Sequence, residues 1–177
     1  MRSAPRNPRQ SPLERADDAE SAREAALRLL ERARRTRADV RLRLIEKGYL
    51  AAVVDEVLDR LTAVGLLDDV EYARAFLSGR WNRRTAGRRR IENELRQRGI
   101  SAEDIARARG EVEERLGAMN EVASARRVIE QSARRYATLD PRVRRQRLYA
   151  LLARRGFDGD VIRSALAIPD SGEGEDA

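Results

Sequence analysis

The chain has neither cysteine nor histidine. That excludes disulfides, thiolate nucleophiles, imidazole bases and zinc sites built on Cys or His ligands. Aromatic residues make up only 4% of the sequence. No stretch sustains apolar–polar alternation, so strand signals are missing. No apolar run approaches the roughly 20 residues of a membrane span. The first twelve residues, MRSAPRNPRQSP, carry no apolar segment and read as a basic arm rather than a secretory leader. Lysine is nearly absent as well: of 37 basic residues, only Lys47 is not arginine. The phosphate-loop signature is missing too, since GRRRIENELRQRG lacks the Gly-Lys-Ser/Thr ending. The carboxylates fall mostly at predicted helix caps and on helix surfaces. Together these absences point away from an enzyme, a metal site and a bound cofactor. The lack of cysteine fits a cytoplasmic protein.

What is present is arginine and helical periodicity. The 177 residues carry a formal net charge of +7, with a sequence pI near 10.7. A charge of this sign suits a polyanionic or acidic partner, and the planar guanidinium binds phosphate and carboxylate bidentately. Net charge alone is equally compatible with solvated surfaces that bind nothing.

One pattern occurs three times. LIEKGY closes at Gly48, LRQRGI at Gly99 and LLARRGF at Gly156. Eight residues before each glycine stand Val40, Ile91 and Leu148, and four before stand Leu44, Leu95 and Leu152. Those offsets share one helical face. A basic residue precedes each glycine and an apolar one follows (Tyr49, Ile100, Phe157). This predicts a helix ended by a left-handed glycine cap, with the next side chain folded back as a packing staple. A second pattern starts at Asp17, Asp68 and Asn120, aligning Ala22 with Ala73 and Ala125, and Ala26 with Leu77 and Ile129. One turn on, the aligned residues are Leu30, Trp81 and Ala133, which places the single tryptophan on a core stripe. From start to glycine the third copy is longer, with an insertion near TLDP.

A period near 51 residues marks a helical repeat. Thr36-x-x-Asp39, Asp68-x-x-Glu71 and Ser101-x-x-Asp104 read as N-terminal capping motifs, and Asp140-Pro141 as a cap before an N1 proline. Helices are predicted near 18–35, 37–47, 51–64, 68–84, 87–98, 102–116, 120–137, 141–155 and 159–167. The expected organisation is a basic arm (1–16), an N-terminal helix (17–35), repeats at 36–85 and 86–138, a partial repeat at 139–167, and an acidic tail (168–177).

Charge is segregated along this array. Residues 80–98 hold eight Arg against Glu92 and Glu94, and residues 126–155 hold ten Arg against Glu130 and Asp140. On the helix at 87–98, Arg89, Arg90 and Arg96 point away from the Ile91/Leu95 stripe. On the helix at 141–155, Arg142, Arg147 and Arg154 do the same. Two glutamates cannot neutralise eight arginines within their own stretch, so these faces are expected to meet an acidic or phosphate surface.

The combination of GLLDDVEYARAFL with the spaced G…RI…EL…RGI resembles the RecX regulatory proteins of bacteria, over about residues 21–167. The resemblance implies an all-α fold, an elongated, curved array of tandem three-helix repeats. It implies a cytoplasmic, non-enzymatic modulator of the RecA recombinase. Such a protein lies in the groove of the RecA–single-stranded-DNA filament and suppresses ATP hydrolysis, strand exchange and the coprotease activity behind the SOS response. It maps the family's basic surface onto Arg80, Arg83, Arg84, Arg88, Arg89 and Arg90, and onto Arg134, Arg135, Arg142, Arg145 and Arg147. A monomer is expected, with possible direct contact to single- or double-stranded DNA and none to membrane. Two other classes stay open on the residues alone: a direct DNA-binding helical protein, and a basic repeat scaffold for an acidic protein.

Overall fold

The structure is a computed structural model that describes residues 18–81 and 86–167, apart from the Trp81 side chain. Among the described residues there are nine α-helices and no strand. In chain order they are α1 (Ala19–Arg32), α2 (Arg37–Glu46), α3 (Ala51–Ala63), α4 (Asp69–Trp81), α5 (Arg88–Arg96), α6 (Ala102–Leu116), α7 (Glu121–Tyr136), α8 (Pro141–Arg154) and α9 (Gly159–Leu166). These agree with the predicted helices to within a few residues; the predicted end of the 68–84 helix lies outside the described residues, as do the arm and the tail.

The helix starts obey their caps. Thr36 Oγ1 accepts from the Asp39 N–H at 3.1 Å, Asp68 from Glu71 at 2.9 Å and Ser101 from Asp104 at 3.0 Å. Asp140 accepts from the Arg142 N–H, with Pro141 opening α8. Each such cap satisfies a donor that the first helical turn cannot, and contributes about 1 kcal/mol.

The three glycine stops share one geometry. Gly48, Gly99 and Gly156 have φ of 92°, 81° and 81°. After them, the N–H groups of Tyr49, Ile100 and Phe157 donate to the carbonyls of Leu44, Leu95 and Leu152 at 3.2, 3.3 and 3.2 Å. This is the six-to-one closure of a Schellman motif. It turns Tyr49, Ile100 and Phe157 inward, where all three are buried. Tyr49 keeps its hydroxyl satisfied by donating to the Ser21 carbonyl at 3.2 Å.

The apolar residues collect in three separate cores. The first joins α1–α3 around Ala22, Val40, Leu44, Val54 and Leu58. The second joins α4–α6 around Ala73, Leu77, Ile91, Leu95 and Ile105. The third joins α7–α9 around Ala125, Val128, Leu152, Phe157 and Ile162. Every substantial helix–helix contact lies within one of these units. The cores thus group the helices in a different phase from the 36–85, 86–138 and 139–167 partition: α1 belongs with α2 and α3, and the last unit has three helices.

Units join through helix ends, and the joint repeats. At the first joint the Thr36 hydroxyl donates to the Arg98 carbonyl at 2.8 Å, and the Arg37 N–H donates to Asp69 Oδ1 at 2.9 Å. At the second, the Gly87 N–H donates to the Arg155 carbonyl at 2.9 Å, and the Arg88 N–H donates to Glu121 Oε1 at 2.9 Å. Each time, the N-terminus of one unit's middle helix seats on the glycine turn of the next unit. The fit is close: a Cβ on Gly156 would lie 2.5 Å from Arg90 Cβ, and one on Gly99 would lie 2.3 Å from Ala38 Cβ. The Gly48 turn of the first unit receives no such helix end among the described residues, and a Cβ there would meet nothing within 4 Å.

Candidate interaction surface

The two arginine-rich segments fall in adjacent units and differ in how their charge is met. In the first, α5 buries Ile91 and Leu95 and turns Arg89, Arg90 and Arg96 to the exterior. Glu92 and Glu94 are largely covered, with side chains 14% and 25% exposed, and each serves two guanidiniums. Glu92 holds Arg96 at 3.2 Å and Arg109 of α6 at 3.1 Å. Glu94 holds Arg80 of α4 at 3.0 Å and Arg90 at 3.3 Å. Carboxylates from the next unit complete the set: Asp158 lies 3.4 Å from both Arg88 and Arg89, and Glu121 lies 3.8 Å from Arg88. Arg80 and Arg98 also stack over the Phe76 ring, at 5.0 and 5.3 Å from its centroid. Five of the eight arginines, Arg80, Arg88, Arg89, Arg90 and Arg96, thus have carboxylate partners, some of them far along the chain. The more exposed of these pairs, such as Arg89–Asp158, contribute between nothing and about 1 kcal/mol each, so a polyanion could displace them. Arg83 and Arg84 lie outside the described residues.

Five arginines of the second segment have no such compensation. Among the described residues, no carboxylate pairs with Arg134, Arg135, Arg142, Arg145 or Arg147, all of which are exposed. Arg135 packs over its neighbour Tyr136, 5.7 Å from the ring centroid. Asp140 is occupied as a helix cap. Arg134 and Arg145 converge on an open groove of about 900 Å³ between α7, α8 and the end of α9. Its apolar floor includes Ile129, Ala133, Ala137, Leu148, Ala165 and Leu166. Arg135, Arg142 and Arg147 are not part of its lining.

Arg126 and Arg144 also line this groove, and the sequence reading did not single them out. Arg144 was findable, since it sits four residues before Leu148 on the α8 core stripe. The groove has a small residue at one aligned position. Ala133 stands where the other units have Leu30 and Trp81. Ile129 and Leu148 are less covered than their counterparts Leu77 and Ile91.

A smaller hollow of about 510 Å³ lies at the first joint, beside Arg35, Arg43 and Arg98. Here Asp39 takes up the charge of Arg35 at 2.6 Å and Arg43 at 3.1 Å. Burial opposes ionisation of Asp39, but the two guanidiniums outweigh it and hold the carboxyl below its usual range. Across the joint, Asp69 behaves oppositely. Desolvation pushes it up, helped by the nearby Asp104 and Asp68, against the Arg37 N–H and the Arg37 charge. Among the described residues, no group of His, Cys, Asp or Glu could hold a metal ion, and no helix is long and apolar enough to cross a membrane.

Three three-helix units in tandem, joined by repeated end-on contacts and displaying arginine-rich outer faces, define a helical repeat protein without an evident catalytic cluster among the described residues. Models of the first, second and third RecX three-helix domains match residues 22–61, 68–108 and 120–166, and the chain belongs to the RecX family. It is 39% identical over 144 residues to the regulatory protein RecX of Mycobacterium ulcerans, covering 80% of each chain. It is 38% identical over 140 residues to that of Thermobifida fusca, covering 79% of this chain and 74% of the relative. Among solved structures, one crystal structure of a regulatory protein RecX superposes with a TM-score of 0.76 at 25% identity, over 95% of this chain and 83% of that one. The structure of RecX from Lactobacillus salivarius matches in fold with a TM-score of 0.73, over 86% of this chain and 96% of that one. The matched domains coincide with the three apolar cores.

Proposed function

We propose that this protein is a non-enzymatic, cytoplasmic regulator of RecA. It binds the RecA–single-stranded-DNA filament as a monomer and lowers RecA ATP hydrolysis, strand exchange and coprotease activity. Membership of a family whose members are named regulatory proteins supports this reading. The observation that carries it is the run of exposed arginines on α7 and α8 with no carboxylate partner among the described residues. Charge left unneutralised in this way favours a densely anionic surface, through phosphate contact and counterion release. Arg134, Arg135, Arg142, Arg145 and Arg147 form the principal contact. Arg80, Arg88, Arg89, Arg90 and Arg96 form an adjoining one that must first give up its internal pairs. Direct contact with DNA inside the complex follows from the same chemistry.

The test is a titration of the protein into RecA from a matching organism on single-stranded DNA. Substoichiometric protein should lower ATP hydrolysis, and binding to RecA-coated DNA should exceed binding to naked DNA. Unchanged ATPase and strand exchange across a broad titration would contradict the proposal. Equal binding to naked DNA would favour the direct DNA-binding reading.

A further inference from the structure

The α7–α8–α9 groove has features that polyanion binding alone does not require. Its floor is apolar, and four arginines outnumber the single carboxylate, Glu130, on its rim. Arg126 Nε is buried there with no hydrogen-bond acceptor among the described residues. An isolated guanidinium N–H in such a place is costly unless an acceptor arrives. The occupant that fits is therefore extended, acidic and partly apolar. A segment of this description leaves the groove's own edge. Ala165 and Leu166, which end α9, are part of the lining. The ten residues 168–177 read IPDSGEGEDA, with four acids, no base and an apolar residue at the start. Ten residues reach up to roughly 33 Å when extended, while the 14 residues of α8 span about 21 Å.

We propose that residues 168–177 dock in this groove, with Ile168 on the apolar floor and Asp170, Glu173, Glu175 and Asp176 against Arg126, Arg134, Arg144 and Arg145. A short tether gives the tail a millimolar effective concentration, so even a weak contact is populated. The tail then competes with any polyanion for these arginines. Occupation lowers apparent affinity by the fraction of molecules in which the groove is free. This inference does not depend on the RecA reading.

The absence of cysteine makes the test direct. Ser171→Cys in the full chain provides a single attachment point for a nitroxide. Amide signals of the ¹⁵N-labelled protein should broaden at Ala133, Ala137 and Leu148 in low salt, and not along α3. Heparin should restore those signals by displacing the tail. Two variants should abolish the broadening: Ala133→Trp, which fills the groove without changing charge, and the tail quadruple Asp170→Asn, Glu173→Gln, Glu175→Gln, Asp176→Asn, which leaves all three cores intact. A sample of nitroxide-labelled unenriched protein mixed with unlabelled ¹⁵N protein should show none. Absent or uniform broadening, broadening that survives in both variants, or broadening seen only in the mixed sample would overturn the proposal.

Discussion

The segments 80–98 and 126–155 look alike in composition and differ in electrostatic outcome. In the first, two well-covered glutamates each bridge two arginines, and Asp158 and Glu121 arrive from the neighbouring unit. In the second, Arg134, Arg135, Arg142, Arg145 and Arg147 find no carboxylate among the described residues. The cause is position in the array. The middle unit has a neighbour on each side and borrows acidic residues from the following one at its joint. Among the described residues, no further unit packs against the last one to supply such carboxylates. A run of like charge therefore identifies a binding face only after the joints have been accounted for.

The comparison also holds in the cores beneath the two faces, where the largest effects are expected. Leu95 is fully buried beneath α5, whereas Leu148 lies on the groove floor of α8. Leu95→Ala should cost roughly 2–5 kcal/mol. Leu148→Ala should fall at or below the low end of that range, because no sealed cavity is left behind. Equal losses in chemical denaturation would mean that the groove is closed in solution.

Gly156, the residue just past the second segment, packs against Arg90 of the first. Gly156→Ala combines the left-handed penalty of about 1–2 kcal/mol with a collision against Arg90. Gly48→Ala incurs only the penalty, since the space beside it is open. Thermal melts should therefore rank Gly156→Ala as more destabilising; the reverse order would contradict the joint as described.

Making the first segment resemble the second sharpens the contrast further. Glu92→Gln with Glu94→Gln should release Arg80, Arg90, Arg96 and Arg109. Polyanion affinity should rise and salt dependence should steepen, by up to about 0.7 in log–log slope for each arginine recruited to a single-stranded phosphate. An unchanged slope would show that these arginines never reach a partner.

The smallest effect concerns the first joint. Asp69 has a folded-state pKa raised mainly by desolvation. The folded protein thus holds this proton more tightly than the unfolded chain does, and the cost of ionising the group is fully present at neutral pH. Stability from this group rises as pH falls through its folded pKa. Asp69→Asn keeps an oxygen to accept from the Arg37 N–H and removes the ionisation cost. Its stability relative to wild type should be most favourable at neutral pH and should decline on acidification toward pH 4. A relative stability that improves on acidification would reverse the sign assigned to Asp69.

Most of the fold was legible in the sequence because it is written in local, short-range rules. The three glycines, their preceding basic residues and the apolar residues after them specify Schellman closures that need no tertiary information. Caps such as Thr36, Ser101 and Asp140 fix helix starts equally locally. The phase of the units was not legible, because nine helices at a 51-residue period can be cut in more than one register. The three cores choose α1–α3, α4–α6 and α7–α9. The arginine-rich candidate face was half legible. The outward direction of Arg89, Arg90 and Arg96 follows from helical angle, and the structure places them so. Their neutralisation does not follow, since Asp158 lies about 70 residues along the chain and meets Arg88 and Arg89 only through the second joint. Ala133 was visible as the small member of an aligned set, but the groove it lines depends on where α9 ends.

The central claim is that partnerless arginines in the last unit, rather than paired ones in the middle unit, dominate filament binding. Two matched triple variants test it most directly: Arg142→Ala, Arg145→Ala, Arg147→Ala on α8, and Arg89→Ala, Arg90→Ala, Arg96→Ala on α5. Both should melt within about 1 kcal/mol of wild type, as exposed substitutions do. Binding to RecA-coated single-stranded DNA is then measured across a salt series. The α8 triple should lower affinity and reduce the log–log salt slope by about 2, and the α5 triple should do so by clearly less. An α5 triple that loses as much as or more than the α8 triple would contradict the account.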